Sequence, residues 1–283
     1  MKWPAFAYAR ANSLEEAFAL KRAAGADAKW IAGGQSLLVS LAYRLQAPGA
    51  LIDISRIAAL HGVAEAGAGL RIGAATTHAK LGADALIGAR APLLAQAAPL
   101  IAHAAIRNRG TLGGNIAYAD PASELPACLV ALGATIVAAS PRGERRIAAA
   151  DFFVGLFETA LAEDEIIVAV ETPAPPAGSA IDEIARRPGD YAMAGLAAAF
   201  DIESGRLAHA RLVFFGVGGA PVHAVRASTA LTLHGVAAAQ AALAGDLAPQ
   251  GDHQASGDMK LHLARVLTRR VAQAALGPGS LAA

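Results

Sequence analysis

The spacing of apolar positions predicts that the chain opens as strand, helix, strand. Residues 5–8 form a short apolar run. Ser13 followed three residues later by Glu16 is the capping-box pattern, in which two side chains satisfy two orphaned backbone donors. Leu14, Ala17, Phe18 and Lys21 recur at helical spacing, and Gly25 closes that helix. Residues 29–31 read as the next strand and run directly into Ala32-Gly33-Gly34-Gln35-Ser36. A second helix follows, ending before Pro48, and 51–54 is again a strand. Strand and helix in alternation argue for an α/β unit.

From Gly62 the period changes. Residues 63–65 and 70–73 flank Gly67-Ala68-Gly69 as the arms of a hairpin. Thr77 is placed to cap a short helix. Residues 91–105 read as a longer helix, with Pro92 tolerated in its first turn and Pro99 bending or splitting it. Residues 106–110 leave that helix and lead into a second glycine loop, Thr111-Leu112-Gly113-Gly114-Asn115. A helix over 123–132 and strands near 134–139, 144–149 and 165–172 follow. Three prolines within 173–176 then mark a boundary, since they continue neither a ladder nor a helix. Beyond it, strand-like runs at 196–202 and 207–215 precede helices at 225–234 and 258–276, the order of an α+β module.

Composition closes several classes. The 283 residues are 55% hydrophobic and 17% charged, which excludes disorder. A net charge of +1 supplies no global field to recruit nucleic acid or anionic lipid. Mean hydropathy of +0.41 raises the question of a membrane. The longest uncharged stretch, 227–245, is mostly Ala interrupted by Ser228, Thr229, His234 and Gln240. The other candidate, 125–141, contains Pro126, Cys128 and Gly133. Neither reads as an apolar span of roughly 20 residues, and the opening residues lack the apolar run of a signal peptide. A soluble, cytoplasmic protein is expected. The single cysteine, Cys128, excludes an internal disulfide, a zinc cluster and a Cys-ligated iron–sulfur centre within the chain. It reads as an inert buried thiol. The eight histidines show no HxH or HxxxH pairing, so no metal site is expected.

Chemistry centres on the two glycine loops. Each can aim backbone N–H groups at an anion, because glycine permits positive φ and close approach. Spacing alone equally allows two tight turns. Common nucleotide fingerprints fail: Gly216-Val217-Gly218-Gly219-Ala220-Pro221 has Pro where the third glycine belongs, and no P-loop lysine pattern exists.

The wording of these segments is more specific than their spacing. Residues 32–38, 106–117 (Ile-Arg-Asn-Arg-Gly-Thr-Leu-Gly-Gly-Asn-Ile-Ala), 119–126, 165–167, 186–192 and 260–267, in that order, resemble the FAD-binding medium subunit of the molybdenum hydroxylases. That family includes carbon monoxide dehydrogenase and the xanthine dehydrogenase group. The resemblance implies an α+β chain: a two-subdomain FAD-binding fold over 1–57 and 58–175, then a C-terminal α+β domain over 176–283 with an antiparallel sheet and helices. It also implies roles. Ala32, Gly33, Gly34, Gln35, Ser36 and Leu37, facing Thr111, Gly113, Gly114 and Asn115, would hold the pyrophosphate of non-covalent FAD. Ile31, Ala117 and Asp120 belong to the same cofactor set. Glu124 stands where relatives carry an acidic residue bound to the flavin nucleotide. Ile101 and Ala102 would line the adenosine side, Ile167 the isoalloxazine side, and Tyr191 would lie close to the ring. No residue is implied as acid, base or nucleophile.

Implied partners are a large subunit carrying the molybdenum cofactor and a small subunit with [2Fe–2S] clusters, in a dimer of heterotrimers. The alternative is a stand-alone FAD-dependent oxidase or reductase of the same fold. Departures from the family pattern are Asp182 and Glu183 where a Lys often precedes the paired arginines, Tyr118 where His is common, and Met259-Lys260 in place of Tyr-Arg. Residue by residue, other readings stay open. Arg186-Arg187 would salt-bridge Asp182 and Glu183 at a surface. Tyr191 would be a core aromatic, and Asp120 before Pro121 a turn residue. His103 reads as structural rather than as a covalent flavin attachment.

Overall fold

Strands Ala7–Arg10, Ala50–Asp53 and Ala28–Ile31 form a parallel sheet in that spatial order. The computed structural model describes residues 3–203 and 206–276, with backbone only for 275–276. The expected domain ends, 1–2 and 277–283, lie outside the described residues, as do 204–205. Parallel pairing brings the carboxyl ends of Ile31 and Asp53 side by side. The chain therefore leaves Ile31 into residues 32–36 at the sheet edge where α/β units place ligands. Helix Leu14–Ala24 packs behind the sheet, and Ser13 Oγ accepts its Glu16 N–H at 3.1 Å. The capping box is displaced by one residue, because Glu16 Oε2 accepts from the Asn12 N–H at 2.7 Å rather than from Ser13. The next helix spans Leu37–Ala42 and, as expected, ends before Pro48.

A five-stranded sheet follows, ordered Val63–Ala66, Gly69–Gly73, Ile166–Thr172, Thr135–Ser140 and Gly143–Ala148, all antiparallel. Its helices pack on one face, burying Leu81, Leu93, Leu94, Leu112, Leu129 and Phe152. The expected helix over 91–105 is divided into Pro92–Ala97 and Ala104–Arg107. Between them Ala102 is left-handed at φ 41°, so the split at Pro99 is a turn rather than a bend. The second glycine segment is not a loop: Thr111 caps helix Leu112–Tyr118, which contains both glycines.

The last sheet is ordered Gly178–Ile184, Ala194–Glu203, Arg206–Phe215 and Val222–His223. Its first strand escaped the sequence reading. Both faces of this sheet are covered. Ala197, Ala199, Val213 and Phe215 join the core beneath helix Glu124–Leu132, whereas Leu196, Ala198, Phe200, Leu212 and Phe214 pack on helices Val225–Ala242 and Gly257–Leu276. Two-sided burial accounts for strands that are apolar at consecutive positions rather than alternately. The helix expected over 225–234 continues to Ala242 across a kink at Gly235, φ 80°. Among the described residues no helix is long and apolar enough to cross a membrane.

Candidate cofactor site

A cavity of about 920 Å³ runs between the edge of the parallel sheet and helix Leu112–Tyr118. That is near the top of the roughly 300–1,000 Å³ range of small-molecule sites. One wall is Ile31, Ala32, Gly33, Gly34, Gln35, Ser36 and Leu37; Thr111, Gly113, Gly114, Asn115, Ala117, Asp120 and Glu124 form the opposite one, with Ile101, Ala102, Ile167 and Tyr191 completing it. Thus every residue expected from the sequence reaches the same cavity.

The two glycine segments present different chemistry to it. Among the described residues, none of the backbone N–H groups of Gly33, Gly34, Gln35 and Ser36 donates to a protein acceptor, and Ser36 Oγ caps nothing. Gly34 sits at φ 73°, and Gln35 Nε2 ties the loop by donating to the Gly33 carbonyl at 3.0 Å. Successive idle N–H groups around a left-handed residue make an anion-binding concavity. The facing segment has spent its amides. Leu112 N donates to the Thr76 carbonyl, Gly113 N to that of Ala74, and Gly114 N to Thr111 Oγ1 at 3.2 Å. What it offers is the Thr111 hydroxyl proton; Asn115 donates Nδ2 to Ser123 Oγ at 2.6 Å, and among the described residues its Oδ1 is enclosed without a partner. Gly113 is required by packing, since a β-carbon there would lie 2.6 Å from Ala74 Cβ.

Arg107 organises the turn that carries Ile101 and Ala102. Its Nη1 donates to the carbonyls of Pro99, Ile101 and Ala102, the last at 2.6 Å. The same turn packs on Gly189, φ 79°, where a β-carbon would come within 2.8 Å of the Ala102 oxygen. Tyr191 follows on that loop and is 62% exposed, so it is a rim residue and not a core aromatic. Arg107→Ala is expected to release the turn and weaken FAD binding by about tenfold, the scale of one or two charge-assisted hydrogen bonds. Fluorescence titration of the cofactor-free chain measures it, and unchanged affinity would remove Arg107 from the site.

Three carboxylates, Glu124, Glu183 and Asp120, are raised toward neutrality, whereas the Arg145 guanidinium holds Glu165, which also lines the cavity, below the usual range. Glu124 is 8% exposed. Burial, then the Glu183 charge, pushes its carboxyl up to about 8. Glu183 rises to about 7 through burial and neighbouring Asp182. Burial also raises Asp120, which accepts from the Ala122 N–H at 3.0 Å. Asp120 is therefore a turn residue and a cavity residue at once. Among the described residues the expected Arg186-Arg187 pairs with Asp182 and Glu183 do not form: Asp182 pairs with Arg270 at 3.6 Å, Arg186 donates to the His253 carbonyl, and Glu183 Oε2 has no partner.

Sequence reasoning missed Trp30, His78, Tyr118 and Phe157 in the lining. Trp30 directly precedes the first glycine segment by two residues and could have been found there. Phe157 could not: it reaches the cavity from a hairpin, Phe153–Gly155 paired with Glu158–Thr159, and stacks edge-on against Tyr118 at 5.2 Å.

A parallel three-stranded sheet and an antiparallel five-stranded sheet, followed by a four-stranded sheet with two helices, place a loop of idle amides opposite a capped helix, the architecture of a subunit built to bind an anionic ligand. Residues 4–175 match the family model for the FAD binding domain in molybdopterin dehydrogenase, and 179–275 match that of the CO dehydrogenase flavoprotein C-terminal domain. The chain is 39% identical to the 6-hydroxypseudooxynicotine dehydrogenase complex subunit alpha of Paenarthrobacter nicotinovorans, covering 98% of this chain and 96% of that one. It superposes on a structure of carbon monoxide dehydrogenase from Hydrogenophaga pseudoflava with a TM-score of 0.93, at 38% identity, covering 97% of this chain and 98% of that one. Quinoline 2-oxidoreductase from Pseudomonas putida 86 gives a TM-score of 0.92 at 38% identity, over 98% of both chains. The chain belongs to the family of FAD-carrying medium subunits of molybdenum hydroxylases.

Proposed function

We propose that this chain holds FAD non-covalently and acts as the electron-output subunit of a heteromeric molybdenum hydroxylase. Electrons would arrive from [2Fe–2S] clusters on a small subunit and leave to an external acceptor, with the molybdenum cofactor on a large subunit. The observation that carries this reading is the idle N–H row of residues 33–36 facing the Thr111 hydroxyl and Asn115 across one cavity. The N–H groups and the Thr111 hydroxyl are donors that fit a diphosphate, and the neutral state of buried Glu124 at pH 7 removes a competing anion. Bound FAD would supply exchange between single electrons and electron pairs. The chain's own work is to grip the phosphates, fix the ring edge beside Ile167 and Tyr191, and limit water. Cys128, buried and alone, leaves no thiolate set for a cluster, which supports placing the clusters on another chain.

The same reading divides the chain at 57/58 and 175/176, assigns the lining residues of the two glycine segments to FAD, and places a dimer of heterotrimers in the cytoplasm. Relatives of the family act on unlike molecules, including carbon monoxide and quinoline, which supports leaving substrate choice to the large subunit. Purified from its host, the chain is expected to bring two further chains with it and to show flavin absorbance. Acid precipitation should release that flavin into the supernatant as FAD. Flavin remaining in the pellet, or turnover of a small donor by the isolated chain, would instead favour the self-contained oxidase or reductase.

A further inference from the structure

His78 has a place in this cavity that the two glycine segments do not explain. It begins helix His78–Ala83, is only 4% exposed, and still lines the cavity. Its backbone N–H donates to the Gly110 carbonyl at 3.0 Å, and Thr77 bridges Thr111. The residue is thereby pinned where residues 106–110 enter the capped helix. The ring presses on Gly110, where a β-carbon would stand 2.7 Å from His78 Cδ2 and 2.8 Å from Nε2. Among the described residues neither ring nitrogen hydrogen-bonds a protein group, and Nδ1 is enclosed without a partner. Asn115 Oδ1 and Trp30 Nε1, both from residues lining the same cavity, are enclosed and unpartnered too.

A buried imidazole with idle nitrogens is costly, since its lost hydration is not replaced. A purely structural histidine would be expected to bond a backbone carbonyl or a carboxylate. His78 lines the cavity with its Nδ1 enclosed, which leaves Nε2 as the ring nitrogen open to a polar ligand there. Burial, then the nearby Arg107 charge, holds the imidazole down at about 4, so it is neutral at pH 7 and carries one N–H donor.

We propose that His78 is a cofactor-contact residue, donating an imidazole N–H to the diphosphate of the bound nucleotide where the two glycine segments meet. This rests on the FAD reading above. The test compares His78→Phe, which keeps the ring shape and removes both nitrogens, with His78→Asn, which returns an amide donor. FAD and ADP are titrated into the full-length, cofactor-free chain, and its unfolding midpoint is recorded in parallel. His78→Phe is expected to raise the Kd for both ligands at least tenfold without lowering the midpoint, and His78→Asn to recover part of the loss. A Kd within twofold of wild type in His78→Phe overturns the proposal. So does a loss confined to FAD with ADP unaffected, which would move the contact away from the diphosphate. If His78→Phe does not fold, the imidazole ¹⁵N shifts of the wild-type chain decide: movement on adding ADP supports the contact, and unmoved His78 nitrogens overturn it. A wild-type chain that binds neither ligand sinks the FAD reading itself, whereas wild-type binding matched by His78→Phe sinks only this contact.

Discussion

Gly33→Ala is expected to cost this chain its FAD, raising the Kd by two orders of magnitude or more. The β-carbon it introduces would collide with the Arg109 carbonyl oxygen and stand 2.8 Å from the Arg109 carbonyl carbon and 2.9 Å from Gly110 Cα. All three are backbone atoms of the strip that leads into helix Leu112–Tyr118. Neither side chain nor rotamer can yield, so one wall of the cavity must move away from the other. Overpacking of this kind costs about 1–3 kcal/mol or more, and displacement of the N–H row adds the loss of phosphate hydrogen bonds. At about 1.4 kcal/mol per factor of ten, the sum reaches two decades.

Gly34→Ala makes the informative contrast. Its φ of 73° strains any side chain, but the nearest atoms are the flexible Leu38 at 3.1 Å and Ile31 at 3.3 Å. A left-handed alanine costs about 1–2 kcal/mol, so Gly34→Ala should weaken FAD by no more than about thirtyfold. Flavin fluorescence titration ranks the two. If Gly33→Ala binds FAD as well as Gly34→Ala does, the contact between the glycine segments is not what shapes the site.

The cofactor-free chain should lose stability as pH rises from about 6.5 to 8.5, above the range in which His78, held at about 4, contributes a slope of the opposite sign. Glu124 titrates near its ordinary 4.5 when unfolded and at about 8 when folded. Across that window the native state holds more protons than the unfolded state, so the free energy of unfolding falls with pH. Below 4.5 both states are protonated and the effect vanishes. At about 1.36 kcal/mol per pH unit, the loss attributable to Glu124 is on the order of a few kcal/mol by pH 8. Glu183, raised to about 7, adds a second contribution of the same sign. Glu124→Gln is neutral in both states and should flatten most of the slope, becoming more stable than wild type above pH 8. Unfolding midpoints of the two proteins between about pH 6.5 and 8.5 measure it. Parallel slopes would mean that Glu124 is solvated in the native state.

The Glu183 position shows where sequence and structure part. Absence of a Lys before Arg186-Arg187 is plain in the sequence. That the replacing carboxyl faces Glu124 across the junction of the second and third sheets is not, because residues 59 positions apart meet only through packing. Likewise the pairing of Arg186 with Asp182 or Glu183, reasonable from proximity along the chain, fails because successive strand residues point to opposite faces. Asp182 turns to Arg270 and Glu183 inward.

By itself, the sequence determined the alternation of elements, the Pro-rich break at 173–176, the two glycine segments and the family to which their wording belongs. These are local properties: periodicity, capping residues and turn chemistry act over a few neighbours. Only the tertiary structure decided that the first segment keeps its N–H groups idle while the second spends them on Ala74, Thr76 and Thr111. It also decided that Gly33 is fixed by a carbonyl 76 residues away in the chain, that Phe157 closes the rim, and that the His78 ring is buried with no hydrogen-bond partner among the described residues. Hydrogen-bond satisfaction and close approach of backbones are set by which surfaces meet, and no spacing within a single segment encodes that.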